Sequence, residues 1–395
     1  MGQRPSSGSD DRTRADALRT GLEAVLGAPF VGGNRIDTLV NGDRIFPAML
    51  DAIRGAERRI EFLTFIYWTG DVAKDFAEAF SERARAGVEV FVMLDGFGGR
   101  LIQDDLLDDM KEAGVEVRWF RPVSSWRVWQ DDNRTHRKLL IVDGEVGFTG
   151  GVGIAEEWTG DARDETEWRD NHYRIEGPAV ASLRAAFFEN YIDRTQTIEP
   201  LTGCLADLAD AGELHVQPVL SSAGVGWSEV ARLHEALILL AERRVRIATP
   251  YFAPRDNQTK RLVEALERGV AVQVIMPGPH IDKRVSELAS AEAISELLDA
   301  GAELYRFQPA MFHHKLVSVD GVLASIGSAN FNMRSAFKDD ELALNVMDEG
   351  FCAEADAIFE RDLERCERVG KADWEERGLW RRVKERGSRL IRNQA

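Results

Sequence analysis

The sequence predicts an α/β protein made of two sandwich lobes related by a pseudo-two-fold axis, with a single active site at their interface. Three observations predict it. A strand–helix–strand–helix–strand order occurs twice along 395 residues. Each run ends in the same short string of histidine, lysine, aspartate and small residues, opening at His136 and at His313. The two runs also share flanking words in the same order. Alternating strands and helices bury their apolar faces as layers on a sheet, expected here to be largely parallel in each half.

Residues 1–34 read as a polar tail and a short helix, and the first lobe spans 35–200. In it Ala56-Glu57-Arg58-Arg59-Ile60 precedes a strand-like run, Glu61 to Trp68. A helix then stops at Arg85-Ala86-Gly87-Val88-Glu89-Val90, and a second stops at Glu112-Ala113-Gly114-Val115-Glu116-Val117. Glycine after a helix, followed by branched residues, is the expected helix-to-strand punctuation. A helix around Pro178 to Asp193 closes the lobe, and a joint near Glu199 to Gly212 follows. The second lobe, 213–350, repeats the pattern: Ala241-Glu242-Arg243-Arg244-Val245, a strand to Phe252, then Glu267-Arg268-Gly269-Val270-Ala271-Val272 and Asp299-Ala300-Gly301-Ala302-Glu303-Leu304. Residues 351–395 are expected to form a helical extension outside the repeat.

Composition narrows the function classes. A 44% hydrophobic and 30% charged chain reads as globular, and no run approaches the eighteen apolar residues of a membrane span. A net charge of −17 argues against broad capture of nucleic acid, which needs a basic face. Three scattered cysteines, Cys204, Cys352 and Cys366, suit a reducing compartment and have no metal-ligand spacing, so the cytoplasm is the expected location. The start, Met1-Gly2-Gln3-Arg4-Pro5-Ser6, matches a loose acylation pattern but reads as a polar tail.

The repeated strings carry the chemistry. The first is His136-Arg137-Lys138, then Asp143, then Gly150-Gly151; the second is His313-His314-Lys315, then Asp320, then Gly327-Ser328 and Asn330. On a strand, histidine and lysine two apart share a face, while Arg137 and His314 point away. Asp143-Gly144 and Asp320-Gly321 have the chemistry of a tight hairpin turn, so these aspartates are expected to hold local structure. The small residues Gly150, Gly151 and Ser328, with Asn330, are expected to let backbone N–H groups approach a bound anion. Two histidines and two lysines brought together fit phosphoryl chemistry. A neutral imidazole attacks phosphorus, a protonated one serves the leaving alkoxide, and ammonium groups offset transition-state charge, with no cofactor or metal required.

These paired strings resemble the phospholipase D superfamily, and residues 35–350 resemble its bacterial cardiolipin synthase branch. Supporting words are Trp168-Arg169-Asp170, Arg174 to Pro178, Pro250-Tyr251-Phe252 and Gly327 to Ser335. The resemblance implies transfer of a phosphatidyl group from one phosphatidylglycerol to another, releasing glycerol, with His136 as nucleophile and His313 as acid and then base. It also implies that Asp170 and Glu341 orient the histidines, fixing the imidazole tautomer. One departure stands out. Gly153 occupies the place that Asn330 holds in the second string, so the site loses one side-chain donor.

The expected partners are an anionic phospholipid and the inner surface of the cell membrane, met peripherally, with no nucleic acid. Two candidate contacts are Ser125-Trp126-Arg127-Val128-Trp129, pairing indoles with a cation, and the tail Arg377 to Ala395, with seven basic residues and one acidic. A lid over the cleft and a helix docked on the second lobe are the plainer readings of the two. Hydrolysis to phosphatidic acid, a nuclease activity and a non-enzymatic scaffold are the competing functions. Oligomeric state is not legible.

Overall fold

The computed structural model describes residues 7–122, 132–195, 208–223, 228–282 and 284–375. The Trp126–Trp129 segment, the tail from Arg377, Cys204 and the first six residues lie outside the described residues.

The chain opens with α1 (Ser7–Leu26), β1 (Val31–Val40), α2 (Gly42–Arg54), β2 (Arg59–Thr64), α3 (Asp71–Arg85), β3 (Glu89–Asp95), α4 (Asp104–Glu112) and β4 (Glu116–Phe120). The short β5 (Arg134–Thr135), the hairpin β6 (Leu139–Val142) and β7 (Val146–Gly150), β8 (Asn171–Glu176) and α5 (Val180–Thr195) follow. The order then recurs: β9 (Leu214–Ser221), α6 (Glu229–Leu240), β10 (Arg244–Ala248), α7 (Asp256–Glu267), β11 (Ala271–Pro277), α8 (Arg284–Asp299) and β12 (Glu303–Phe307). It continues with β13 (Leu316–Val319), β14 (Leu323–Gly327), α9 (Met333–Phe337), β15 (Asp339–Met347) and α10 (Glu349–Leu363), and ends with β16 (Cys366–Arg368) and α11 (Lys371–Glu375).

One continuous sheet runs through both repeats. Its first half reads β4-β3-β2-β6-β7-β8-β1 and its second β12-β11-β10-β13-β14-β15-β9, the halves joining where β1 pairs antiparallel with β9. The two orders correspond strand for strand about that seam, which is the pseudo-two-fold relation. Along this order only β2-β3-β4 and β10-β11-β12 pair in parallel, and off it the two-residue β5 runs parallel to β15. The sheet is therefore mixed, not largely parallel. The strands that carry the signatures are hairpins, and hairpin arms pair antiparallel with each other and with their neighbours.

Strand alternation places the cores. One face of the sheet carries Leu63, Ile141 and Ile175 of the first half with Ile275, Leu316 and Leu344 of the second, in a single core under α5 and α10. The other face carries two separate cores. Phe62, Val92 and Leu140 pack under α2, α3 and α4, and Ile247, Val274 and Val317 under α6, α7 and α8. Helix α10 is thus the spatial counterpart of α5, although nearly all of it lies beyond residue 350. Helix α1 packs Leu18 and Leu22 into the second repeat's core, not the first.

The hairpin turns repeat in detail. Asp143 and Gly144 have φ of 54° and 73°, Asp320 and Gly321 of 56° and 73°, the primed-turn geometry that matches strand twist. Each aspartate carboxylate then accepts three backbone N–H groups. Asp143 takes those of Glu57, Arg58 and Arg59 at 2.7–2.9 Å, and Asp320 those of Glu242, Arg243 and Arg244 at 2.8–3.0 Å. The recurring Ala-Glu-Arg-Arg words are the other half of this clasp.

Candidate active site

His136 and Lys138 lie just before β6, and His313 and Lys315 just before β13, at the same end of the sheet as the C-termini of β2 and β10. Each repeat reaches across the seam to hold the other's histidine. The His136 amide donates to the Asp340 carbonyl at 2.8 Å, and the His313 amide to the Arg169 carbonyl at 2.7 Å. The next residue in each case is the carboxylate. Nδ1 of His136 lies 3.0 Å from Glu341 Oε1, and Nδ1 of His313 lies 2.6 Å from Asp170 Oδ2. The carboxylates downstream of each signature therefore cross over, each serving the opposite repeat.

With a carboxylate accepting from Nδ1–H, Nε2 of each ring is left as the unprotonated nitrogen. The carboxylates are fixed in turn. Glu341 accepts from Ser328 Oγ at 2.5 Å and Ser335 Oγ at 2.6 Å; Asp170 accepts from Trp158 Nε1 at 3.1 Å and the Asn171 amide at 2.9 Å. Lys138 Nζ donates to the His136 carbonyl at 2.6 Å, and Lys315 Nζ donates to the His313 carbonyl and lies 2.8 Å from its Nδ1. Aromatic rings wall the centre: Phe65 is 5.3 Å from the His136 ring, and Trp158 and Trp168 are 5.3 and 5.4 Å from the His313 ring.

All six charged or titrating groups are at most 8% exposed, and this governs their protonation. Burial pushes the His136 imidazole down to about 4, against the upward pull of Glu341. Burial and the Lys315 ammonium push His313 down to about 3. Burial likewise lowers Lys138 to about 7 and Lys315 to about 8. Burial opposes ionisation of the carboxylates too, yet His136, Lys138 and Ser328 together hold Glu341 down at about 2, and Lys315 and His313 hold Asp170 well below the usual range. Each lysine also depresses the imidazole of the opposite repeat, so the four groups share one electrostatic centre.

Not every residue singled out in the sequence joins this centre. Asp143 and Asp320 lie at the far ends of β6 and β13, about 16 Å along the chain from the lysines, and clasp backbone there. Two of the amides expected to face an anion are engaged elsewhere. The Gly151 amide donates to the Asn171 carbonyl at 3.2 Å and the Ser328 amide to the Leu342 carbonyl at 2.9 Å, so sheet pairing has taken both donors. Smallness serves packing instead. A Cβ on Gly151 would lie 2.3 Å from Asp170, and one on Gly150 2.6 Å from the Asn171 carbonyl. Asn330 is buried, and its Oδ1 has no partner within the described residues. At Gly153 a Cβ would lie 2.6 Å from Ile66, which fills the space an asparagine would need.

Sequence reasoning missed Ser335 and Trp158, which hold the carboxylates, and His172, a buried third imidazole beside Gly150 with neither nitrogen partnered. Ser335 lies seven residues past Ser328, at the end of the Gly327 to Ser335 stretch that carries the family resemblance, where its hydroxyl was given no role. Trp158 stands in a stretch of the first repeat that the second lacks, so comparing the repeats gave it no counterpart.

Two imidazoles, two lysines and two crossed carboxylates on a duplicated α/β sheet are the residue set of a phosphoryl-transfer enzyme of the two-signature class. The family model described as "Cardiolipin synthase, PLD-like domain" matches residues 49–190 and 235–363. The chain is 31% identical to cardiolipin synthase 1 of Bacillus cereus over 378 residues, covering 92% of this chain and 73% of that protein. It is 32% identical to cardiolipin synthase A of Pseudomonas aeruginosa over 376 residues, covering 94% and 76%. The crystal structure of a phosphatidylserine synthase from Haemophilus influenzae superposes with a TM-score of 0.70 over 95% of this chain and 99% of that one, at 14% identity. The chain belongs to the phospholipase D superfamily, in its cardiolipin synthase branch.

Proposed function

We propose that this enzyme transfers a phosphatidyl group from one phosphatidylglycerol to the hydroxyl of a second, forming cardiolipin and releasing glycerol. The observation that carries the reading is the crossed pairing, which leaves Nε2 of each imidazole unprotonated at a shared centre between two lysines. In the first step Nε2 of His136 attacks phosphorus, the bond to the glycerol oxygen breaks, and His313 gives that oxygen a proton. In the second, His313 takes a proton from the incoming hydroxyl, whose oxygen attacks phosphorus and frees His136.

Burial keeps His313 neutral while the cleft is empty, so the proton it donates has to be acquired with substrate. A phosphodiester anion beside the ring favours the imidazolium, by the same Coulombic logic through which the lysines disfavour it. Lys138 and Lys315 stand where they offset charge on the equatorial oxygens. Among the described residues no helix is long and apolar enough to cross a membrane. The proposed setting is the inner surface of the cell membrane, met peripherally.

The test is incubation with phosphatidylglycerol vesicles followed by lipid analysis. Cardiolipin with equimolar glycerol is expected. Phosphatidic acid alone would make the enzyme a hydrolase, and inert lipid would overturn the reading.

A further inference from the structure

The loop between β3 and α4 carries Phe97, Arg100 and Leu101. Phe97 is 46% and Leu101 51% exposed, two of the four large hydrophobic side chains that face solvent among the described residues. The other two, Val31 and Leu239, stand singly on β1 and α6, where one exposed apolar residue requires no explanation. In this loop two apolar groups sit four residues apart at one tip, and the Arg100 guanidinium packs 4.8 Å from the Phe97 ring.

The tip is rigidly joined to the catalytic end of the sheet. Asp95, fully buried, accepts from the Phe97 amide at 2.8 Å and the Gly98 amide at 3.1 Å with one oxygen. Its other oxygen accepts from the Thr135 amide at 3.2 Å, one residue before His136. Trp68 Nε1 donates to the Gly98 carbonyl at 3.0 Å. Gly98 presses so closely on the Phe65 carbonyl that a Cβ would lie 2.1 Å from it, and the Phe65 ring in turn touches that of His136. One carboxylate thus anchors both the exposed tip and the strand that presents the proposed nucleophile.

We infer that the Phe97–Leu101 tip is a membrane contact: Phe97 and Leu101 enter the acyl layer of an anionic bilayer while Arg100 stays among the headgroups, seating the cleft mouth on the lipid surface. This rests on the reading of the substrate as a phospholipid. Aromatic and aliphatic groups beside a cation have the chemistry of an interfacial anchor. A tip held in this way transmits its depth to the site, because Asp95 bonds both the tip and the residue before His136.

The experiment uses the full chain and a Phe97→Asp/Leu101→Asp double variant. Each is assayed on vesicles of equal parts phosphatidylglycerol and phosphatidylcholine, and on a short-chain phosphatidylglycerol held below its micelle concentration. Vesicle turnover and co-flotation are expected to fall at least about tenfold in the variant, with turnover of the monomeric lipid unchanged. Unchanged vesicle turnover would overturn the inference. Equal losses on both forms, in a variant whose circular dichroism and melting match those of the unaltered chain, would overturn it too, since a bilayer contact cannot govern turnover of a dissolved lipid. Failure of the transferase reading is separately visible, because the unaltered chain would then make no cardiolipin from either form.

Discussion

In the second repeat the orienting carboxylate, Glu341, is steadied by the hydroxyls of Ser328 and Ser335; in the first, Asp170 is steadied by an indole and a backbone amide. Deeper in the sheet the contrast is sharper. Glu61 on β2 pairs with Arg184 on α5 at 2.7 Å, whereas the corresponding Arg246 on β10 pairs with Asp356 on α10 at 3.2 Å, the same bridge with its charges exchanged. Arg137 and His314 both fill the interior beside their lysines, the first through carbonyl acceptors, the second against Asn171. The difference teaches what the reaction demands. Histidine, lysine and a carboxylate across the seam are invariant between the halves, and the groups behind them have diverged wherever an equivalent hydrogen bond was available.

The largest effect that separates the halves should come from the histidines. His136→Ala is expected to abolish turnover and leave no phosphorus on the protein. His313→Ala should lose about 10³–10⁴-fold in kcat yet accumulate a phosphatidyl-enzyme, detectable with radiolabelled lipid. Label retained equally by both variants would make the repeats interchangeable.

Next in size are the carboxylates. Glu341→Gln and Asp170→Asn are each expected to lower kcat by about 10²–10⁴-fold through a wrong tautomer. The imidazole 15N shifts should change crosswise, at His136 for the first variant and at His313 for the second. A change confined to the same repeat would contradict the crossed pairing.

Much of this architecture was legible in the sequence because it is local. Asp-Gly turns, glycine stops and the His-x-Lys alternation are decided within a few residues, and they gave both hairpins and the facing side chains. The crossing of Asp170 and Glu341 was not legible, since it depends on how β5 runs beside β15 and Arg169 beside Phe312. Nor was the docking of α1 on the second repeat, where Arg14 Nε reaches Asp320 at 2.9 Å across 306 residues of chain. The parallel sheet was over-read for the same reason. Strand–helix alternation reports three strands of each half, and the others are oriented by hairpins.

A gentler separation is expected with pH. In the proposed reaction Lys138 and Lys315 serve as cations, and burial holds them at about 7 and about 8, so kcat/KM should fall as pH rises through those values, Lys138 losing its proton first. Lys138→Arg keeps its charge, and the alkaline limb should move up toward that of Lys315. An unmoved limb would mean that the first repeat's lysine does not set it.

The smallest effect concerns Gly153. Gly153→Asn, which copies the second repeat, should cost about 1–3 kcal/mol of stability because Ile66 already fills the space. Thermal melts should show the loss, and adding Ile66→Ala should recover part of it. A neutral Gly153→Asn would show that this pocket relaxes.

The exchange of carboxylates across the seam makes the duplication hard to undo. A half-length chain would keep an imidazole with nothing to set its tautomer and an acid stranded without its cation. Only by docking with a twin could such a fragment rebuild the pair. Any lineage that trimmed this protein to one repeat would therefore have to become an obligate homodimer at the same moment.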